Sequence, residues 1–211
     1  MQPKLVFAIL IILVAFGGGV MLANQQNPRQ SDVNIPGFLW LDPPTIDSFV
    51  LSNSDGSEFT EAQMAEHWTL VVFGFTNCPD ICPTTMATLN QLHEKLIEDP
   101  RLSEDLQVVF VSVDPERDSH EILGDYVHYF DPSFVGVTGD DESLRRFAKQ
   151  FSTLFMKVDT AGVPGYSMNH SASVLLVDPA LRFVSVFSLP HEIEDMRERL
   201  LQIVTFIEAA G

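Results

Sequence analysis

The sequence predicts an α/β domain: one mixed central sheet with helices on both faces. Three observations predict it. Two β-branched and aromatic runs, Leu70 to Phe75 and residues 106–113, read as strands buried on both faces. Each is followed by a segment with apolar residues at helical spacing. The chain then closes with a strand pair and a long amphipathic stretch, the pattern of a sheet finished by a hairpin and a helix.

The elements follow in order. Asp47 to Ser52 reads as a first strand, ended by the turn Asn53-Ser54-Asp55-Gly56. Thr60 to Ala65 suits a short helix. After the strand ending at Phe75 comes a polar turn, Thr76 to Asp80. Met86, Leu89, Leu92, His93 and Leu96 then repeat at helical spacing to about Glu98. Pro83 suits the first helical position, where its missing N–H is no loss. The strand at 106–113 ends in Asp114-Pro115-Glu116-Arg117-Asp118. Asp118 with Glu121 resembles a capping box for a helix to about Phe130. Phe134 to Val137 is a short strand, and Asp140 or Asp141 caps a helix to Gln150. Phe151 to Val158 and Ser167 to Met168 flank a turn and read as an inserted hairpin. Ala172 to Val177 and Phe183 to Phe187 pair across Asp178-Pro179-Ala180-Leu181. A final helix runs from about His191 to Ala209.

Both cysteines of the 211-residue chain, Cys78 and Cys82, lie where the first long strand gives way to a helix. That placement makes the expected fold thioredoxin-like. Free N–H groups and the positive end of the helix dipole favour thiolates there. The i, i+4 spacing lets the sulfurs meet, as a disulfide or on one metal ion. A purely structural disulfide is the competing reading, although such bridges usually close longer loops.

Twelve basic residues against 29 acidic ones give a formal net charge of −17. No basic stripe is available to meet phosphates, which argues against nucleic acid or an anionic membrane surface as partner. Residues 5–23 carry no charge, and a run of that length can span a bilayer core of about 30 Å. A cleaved signal peptide is the alternative, but its apolar region is shorter and Met21-Leu22-Ala23 makes a poor cut site. The expected organisation is a membrane anchor at 1–23, a linker at 24–36 and the domain at 37–211. Lys4 would stay cytoplasmic, placing the domain on the periplasmic side of an inner membrane crossed once.

Phe73-Gly74-Phe75-Thr76-Asn77-Cys78-Pro79-Asp80-Ile81-Cys82-Pro83-Thr84 resembles the signature of the Sco/SenC family of copper-binding, thioredoxin-fold proteins. Ser112 to Asp118 is similar to that family's second motif, and Tyr166-Ser167-Met168-Asn169-His170-Ser171 to its third. The resemblance implies copper, as Cu(I) or Cu(II), held by Cys78, Cys82 and His170. It implies a role in assembling cytochrome c oxidase, with the oxidase's copper-accepting subunit as partner and other copper chaperones or thiol reductants as further ones.

His170 lies 88 positions beyond Cys82, just before the strand at Ala172. In a thioredoxin-like sheet the loop before that strand faces the cysteine turn, so the ring can reach the sulfurs. Soft thiolates suit Cu(I), the Irving–Williams order favours Cu(II), and zinc would want a fourth ligand that is not evident. Asp114, Asp118 and Arg117 are candidates to support the ligands, against the plainer reading of a turn residue and a helix cap. Asn169 stands where the family usually has an acidic residue, so copper affinity or docking is expected to differ. His67, His93, His120, His128 and His191 read as ordinary histidines. Met156 and Met168 read as packing residues that could assist Cu(I) transfer.

Three functions use these residues. The first is a copper metallochaperone. The second is a membrane-tethered thiol–disulfide oxidoreductase, with Cys78 and Cys82 as a redox-active disulfide keeping the oxidase's copper-ligand cysteines reduced. The third, a peroxidase, lacks its Thr-x-x-Cys pattern, because Thr76 lies only two positions before Cys78. A redox- or copper-sensing role would use the same site.

Overall fold

In a computed structural model of the chain, the described residues are 35–38, 43–103, 105–159 and 165–210. The anchor expected at 1–23, and the linker apart from Ile35 and Pro36, lie outside them. Among the described residues no helix is long and apolar enough to cross a membrane.

The strands are β1 (Val50–Asn53), β2 (Glu58–Thr60), β3 (Trp68–Gly74), β4 (Leu106–Ser112), β5 (Val135–Thr138), β6 (Phe155–Asp159), β7 (Tyr166–His170), β8 (Val174–Val177) and β9 (Phe183–Phe187). The α-helices are α1 (Ile81–Leu96), α2 (His120–Phe130), α3 (Asp141–Gln150) and α4 (Ile193–Ala210). The expected short helix near Thr60 is a 3₁₀ turn, Glu61–Gln63, closed by a capping box between Thr60 and Gln63.

Seven strands form one sheet in the order β2-β1-β5-β4-β3-β8-β9. β3 runs parallel to β4 and antiparallel to β8, and β4 runs parallel to β5, so the sheet is mixed as expected. Every residue of β3 is buried, because helices cover both faces. On one face Phe73 packs against Phe147 of α3 and against Phe151, at ring-centroid distances of 5.9 and 5.8 Å. On the other, Gly74 meets Phe110, whose ring packs on Tyr126 of α2. α4 packs along α1. The architecture is thioredoxin-like. The inserted hairpin, β6 with β7, is a separate two-stranded ribbon outside the main sheet.

Two helix starts differ from expectation. α1 begins at Ile81, so Pro83 is its third residue rather than its first. The position is tolerated because no first-turn N–H has a partner within the helix. α2 is capped by Ser119, whose hydroxyl accepts from Ile122 N at 3.3 Å. Asp118 is not the cap. Its carboxylate turns inward, for the reason given next.

Candidate metal centre

The cysteine turn is built on β3 and anchored from β4. A Cβ on Gly74 would lie 2.6 Å from the Phe110 ring and 3.1 Å from Cys82 Sγ, so only glycine lets the strand end approach the sulfur this closely. Thr76 then donates twice to Asp118, from its backbone N at 2.9 Å and its hydroxyl at 2.6 Å. Ser112 Oγ donates to the same carboxylate at 2.6 Å. Asp118 is 1 % exposed, and a carboxylate so deep needs several donors. Three are at hand inside and none is needed from the helix end, so Ser119 is left to cap α2.

Cys78 N donates to Phe75 O at 3.2 Å and closes the turn. Asp80, at the head of α1, makes no side-chain cap bond. A first-turn amide serves the sulfur instead: Cys82 N donates to Cys78 Sγ at 3.4 Å. The sequence places both thiols at these unpartnered amides, and the structure uses one of them.

His170 closes the site as the last residue of β7, four positions before β8 begins at Val174, rather than in a free loop. Its Nδ1 is 2.8 Å from Ser171 O and donates to it. That bond assigns the tautomer and leaves the Nε2 lone pair free. Nε2 faces Cys82 Sγ at 3.5 Å. Phe75 stands edge-on to the imidazole, with centroids 5.9 Å apart and an interplanar angle of 88°.

Cys78 Sγ, Cys82 Sγ and a His170 ring nitrogen lie within 4.8 Å of one another, and among the described residues this is the one such group of three. Ligand bonds of about 2.3 Å to sulfur and 2.0–2.1 Å to nitrogen, at a near-tetrahedral angle, put the two atoms about 3.6 Å apart. The 3.5 Å separation, a thiol-to-imidazole hydrogen-bond distance in the metal-free chain, is also one that two ligands sharing one ion can keep. Both cysteines are free thiols, Cys82 buried and Cys78 half-buried. The donor set of two soft sulfurs and one neutral imidazole fits copper.

Burial sets the protonation of the site. It pushes the Cys82 thiol well up from its ordinary range, with the Cys78 sulfur adding to the effect. The helix terminus was expected to favour a thiolate here. At Cys82 desolvation of the charge outweighs it, since a helix end contributes only about 0.3–1 kcal/mol when exposed. A bound cation reverses the balance, because a coordinating thiol is deprotonated by the ion's charge. Burial also lowers His170 from its usual value, against the pull of the Ser171 carbonyl, and so keeps the imidazole in its ligating form.

The other candidates divide. Asp118 holds the cysteine turn, as described. Asp114 is wholly buried and pairs with Arg117 Nε, while Arg117 Nη1 donates to Tyr166 O at 2.9 Å. Their hydrogen bonds go to each other, to Ser112 and to Tyr166, not to a sulfur. Asn169 does not support the histidine: strand alternation turns it to the exposed face, opposite Met156, and the Ser171 carbonyl takes Nδ1. His93 pairs with Asp131 at 3.2 Å, His120 bonds Ser52 Oγ at 2.8 Å, and His191 bonds Phe187 O at 3.2 Å, so none joins the centre. Met168 is buried and Met156 exposed. The local pattern does not announce Thr76, Ser112, Phe75 or Tyr166 as part of the site. Their positions inside the three motifs were the only signal.

Fold and site together define a thioredoxin-like dithiol protein whose Cys78, Cys82 and His170 form a candidate Cys₂His metal site. The chain belongs to the SCO1/SenC family, whose pattern matches residues 41–205. It is 32% identical over 154 residues to "Protein SCO1 homolog 1, mitochondrial" of Arabidopsis thaliana, covering 73% of this chain and 45% of that one. It thus spans less than half the length of that relative. A SCO2-like protein of Rickettsia felis is 27% identical over 213 residues, covering 95% of this chain and 98% of its own. Among solved structures, Arabidopsis thaliana ScoI with copper bound superposes with a TM-score of 0.70 at 31% identity, covering 75% of this chain and 97% of that chain. Apo Sco1 from Thermus thermophilus gives 0.68 at 34% identity, covering 81% and 95%.

Proposed function

We propose that this chain is a copper carrier. It holds one Cu(I) or Cu(II) on Cys78, Cys82 and His170 and delivers it to the copper-accepting subunit of cytochrome c oxidase, for the binuclear centre. The observation that carries the reading is the convergence of these three ligand atoms within 4.8 Å. The copper-bound Arabidopsis relative supports it. The oxidase as acceptor rests on the family resemblance of the three motifs.

Two thiolates and a neutral imidazole carry two negative charges. Cu(I) leaves one and Cu(II) leaves none, so one donor set serves both states. Release proceeds by exchange of these ligands for those of the acceptor, with no covalent bond made or broken in the chain. A disulfide between Cys78 and Cys82 would remove two ligands, so loading needs both thiols reduced. A thiol reductant and an upstream copper donor are therefore partners of the same cycle. Residues 1–23 tether the domain to the inner membrane, uncleaved, with the carrier on the periplasmic side; the charge-free run at 5–23 supports this.

One observation favours thiol–disulfide exchange as a second reading. Cys78 is the more accessible sulfur and accepts an amide hydrogen bond, with Cys82 buried behind it. Cys78 would attack a partner's disulfide and Cys82 would resolve the mixed disulfide, passing two electrons and two protons to the partner. Copper titration of the reduced chain separates the readings. Sulfur-to-Cu(II) charge-transfer absorption is expected in the wild type and lost in Cys78→Ser, Cys82→Ser and His170→Ala. A wild-type chain with no such band refutes the carrier. A His170→Ala chain that supports oxidase assembly without binding copper establishes the redox reading.

A further inference from the structure

We infer that Tyr166, gripped by Asp114 and Arg117, is the positioning residue that sets His170 against the two sulfurs. The inference rests on the copper reading above. His170 is carried by the β6–β7 ribbon, which is not part of the main sheet. A two-stranded ribbon alone is marginally stable in water, so its place must be set from outside. Tyr166 begins β7 and His170 ends it, about 13 Å away along an extended strand.

The grip on Tyr166 comes from the loop after β4. Its hydroxyl donates to Asp114 Oδ1 at 2.6 Å. Arg117 Nη1 donates to its carbonyl at 2.9 Å, and the guanidinium lies 4.0 Å over its ring. Asp114 binds Arg117 Nε as well, and is tied to the strand end where its own N donates to Ser112 Oγ at 3.2 Å. Ser112 is the residue that also anchors Asp118 and, through it, the cysteine turn. From β6, Lys157 pairs with Glu116 and places its ammonium 4.7 Å over the Tyr166 ring. The Arg117 guanidinium also lies 5.6 Å over Phe75, the ring set edge-on to His170. One loop thus holds the base of the histidine strand, while Ser112, the last residue of β4, braces the turn that carries Cys78 and leads into Cys82. The hydrogen bonds and ion pairs among these links are directional, so they fix orientation as well as contact.

The test is a double-mutant cycle on the full chain: wild type, Tyr166→Phe, His170→Ala and the double variant. Cu(I) affinity is read by competition with a chromophoric chelator, and histidine coordination by nitrogen hyperfine structure of the Cu(II) form. Tyr166→Phe keeps the ring under Arg117 and removes only the hydroxyl. It is expected to weaken Cu(I) binding about ten- to a hundredfold and to blur the nitrogen signature. In the His170→Ala background the same change is expected to alter affinity less than about threefold, because the ligand it positions is gone. An equal loss in both backgrounds, or none in either, overturns the inference. If His170→Ala itself leaves copper affinity and spectrum unchanged, the copper reading falls first, and this inference with it. Amide exchange of metal-free Tyr166→Phe supplies an independent readout. Exchange is expected to quicken in β6 and β7 and not in β3 or β8; uniform acceleration would mark general destabilisation and overturn the positioning role.

Discussion

Replacing Asp118 with alanine removes the acceptor on which the cysteine turn hangs. The carboxylate takes Thr76 N, Thr76 Oγ1 and Ser112 Oγ at 2.9, 2.6 and 2.6 Å. A buried donor left without a partner costs about 1–3 kcal/mol. The two hydroxyls can rotate toward other acceptors, but the Thr76 amide is fixed by the backbone. The expected loss is therefore about 2–4 kcal/mol, short of three full penalties. In a chain of this size that lowers the thermal midpoint by about 5–15 °C. The turn carrying Cys78 also loses its tether to β4, so Cu(I) affinity is expected to fall about tenfold or more. Urea unfolding of the reduced, metal-free chain measures the first effect and chelator competition the second. Were Asp118 an ordinary helix cap, the loss would be about 1 kcal/mol and copper affinity would not change. That outcome would refute the placement argued here. Asp118→Asn, which keeps one acceptor oxygen, is expected to fall between wild type and alanine.

Further outcomes follow from the burial and packing of the site. Burial keeps Cys82 protonated through neutral pH, so binding copper must expel that proton, and apparent affinity should rise at least about tenfold per pH unit. His170, lowered by burial, stays neutral below the usual range near 6.5, so its share of binding should persist there; a pH-independent competition curve would contradict the first point. The same lowering means the unfolded chain takes up more protons at this residue, so its burial opposes folding as pH falls through that range. Gly74→Ala drives a methyl into the Phe110 ring and against Cys82 Sγ, and should cost about 1–3 kcal/mol in urea unfolding. Asn169→Asp restores the family's usual acidic type at an exposed position. It should change copper affinity less than about threefold, and a larger change would show that this side chain reaches the histidine after all.

The sheet and its helices were readable because their signals are local. The unbroken apolar run of β3 states that both its faces are covered, and apolar spacing along α1 states which side packs. Asp140 or Asp141 was expected as a cap, and Asp140 is it, accepting from Ser143 N at 2.8 Å. Asp118 looked the same, with an acidic residue three positions on, yet faces inward. Nothing within one helical turn distinguishes the two. The difference is a pair of hydroxyls and an amide delivered by the end of β4 and by the turn after β3, Thr76 from 42 positions away.

The sequence alone determined that two thiols sit at a strand-to-helix junction, because hydrophobic period and helix-start chemistry are written in neighbouring residues. It also supplied the three motifs whose resemblance singled out His170. Only the tertiary structure decided how that ring is held: on a ribbon apart from the sheet, its Nε2 3.5 Å from Cys82 Sγ, its strand gripped at Tyr166. It also decided that burial overrides the helix end at Cys82, and that Asn169 faces away. The physical reason is the same in each case. Direction and desolvation depend on which surfaces close over a group, and distant parts of the chain supply those surfaces.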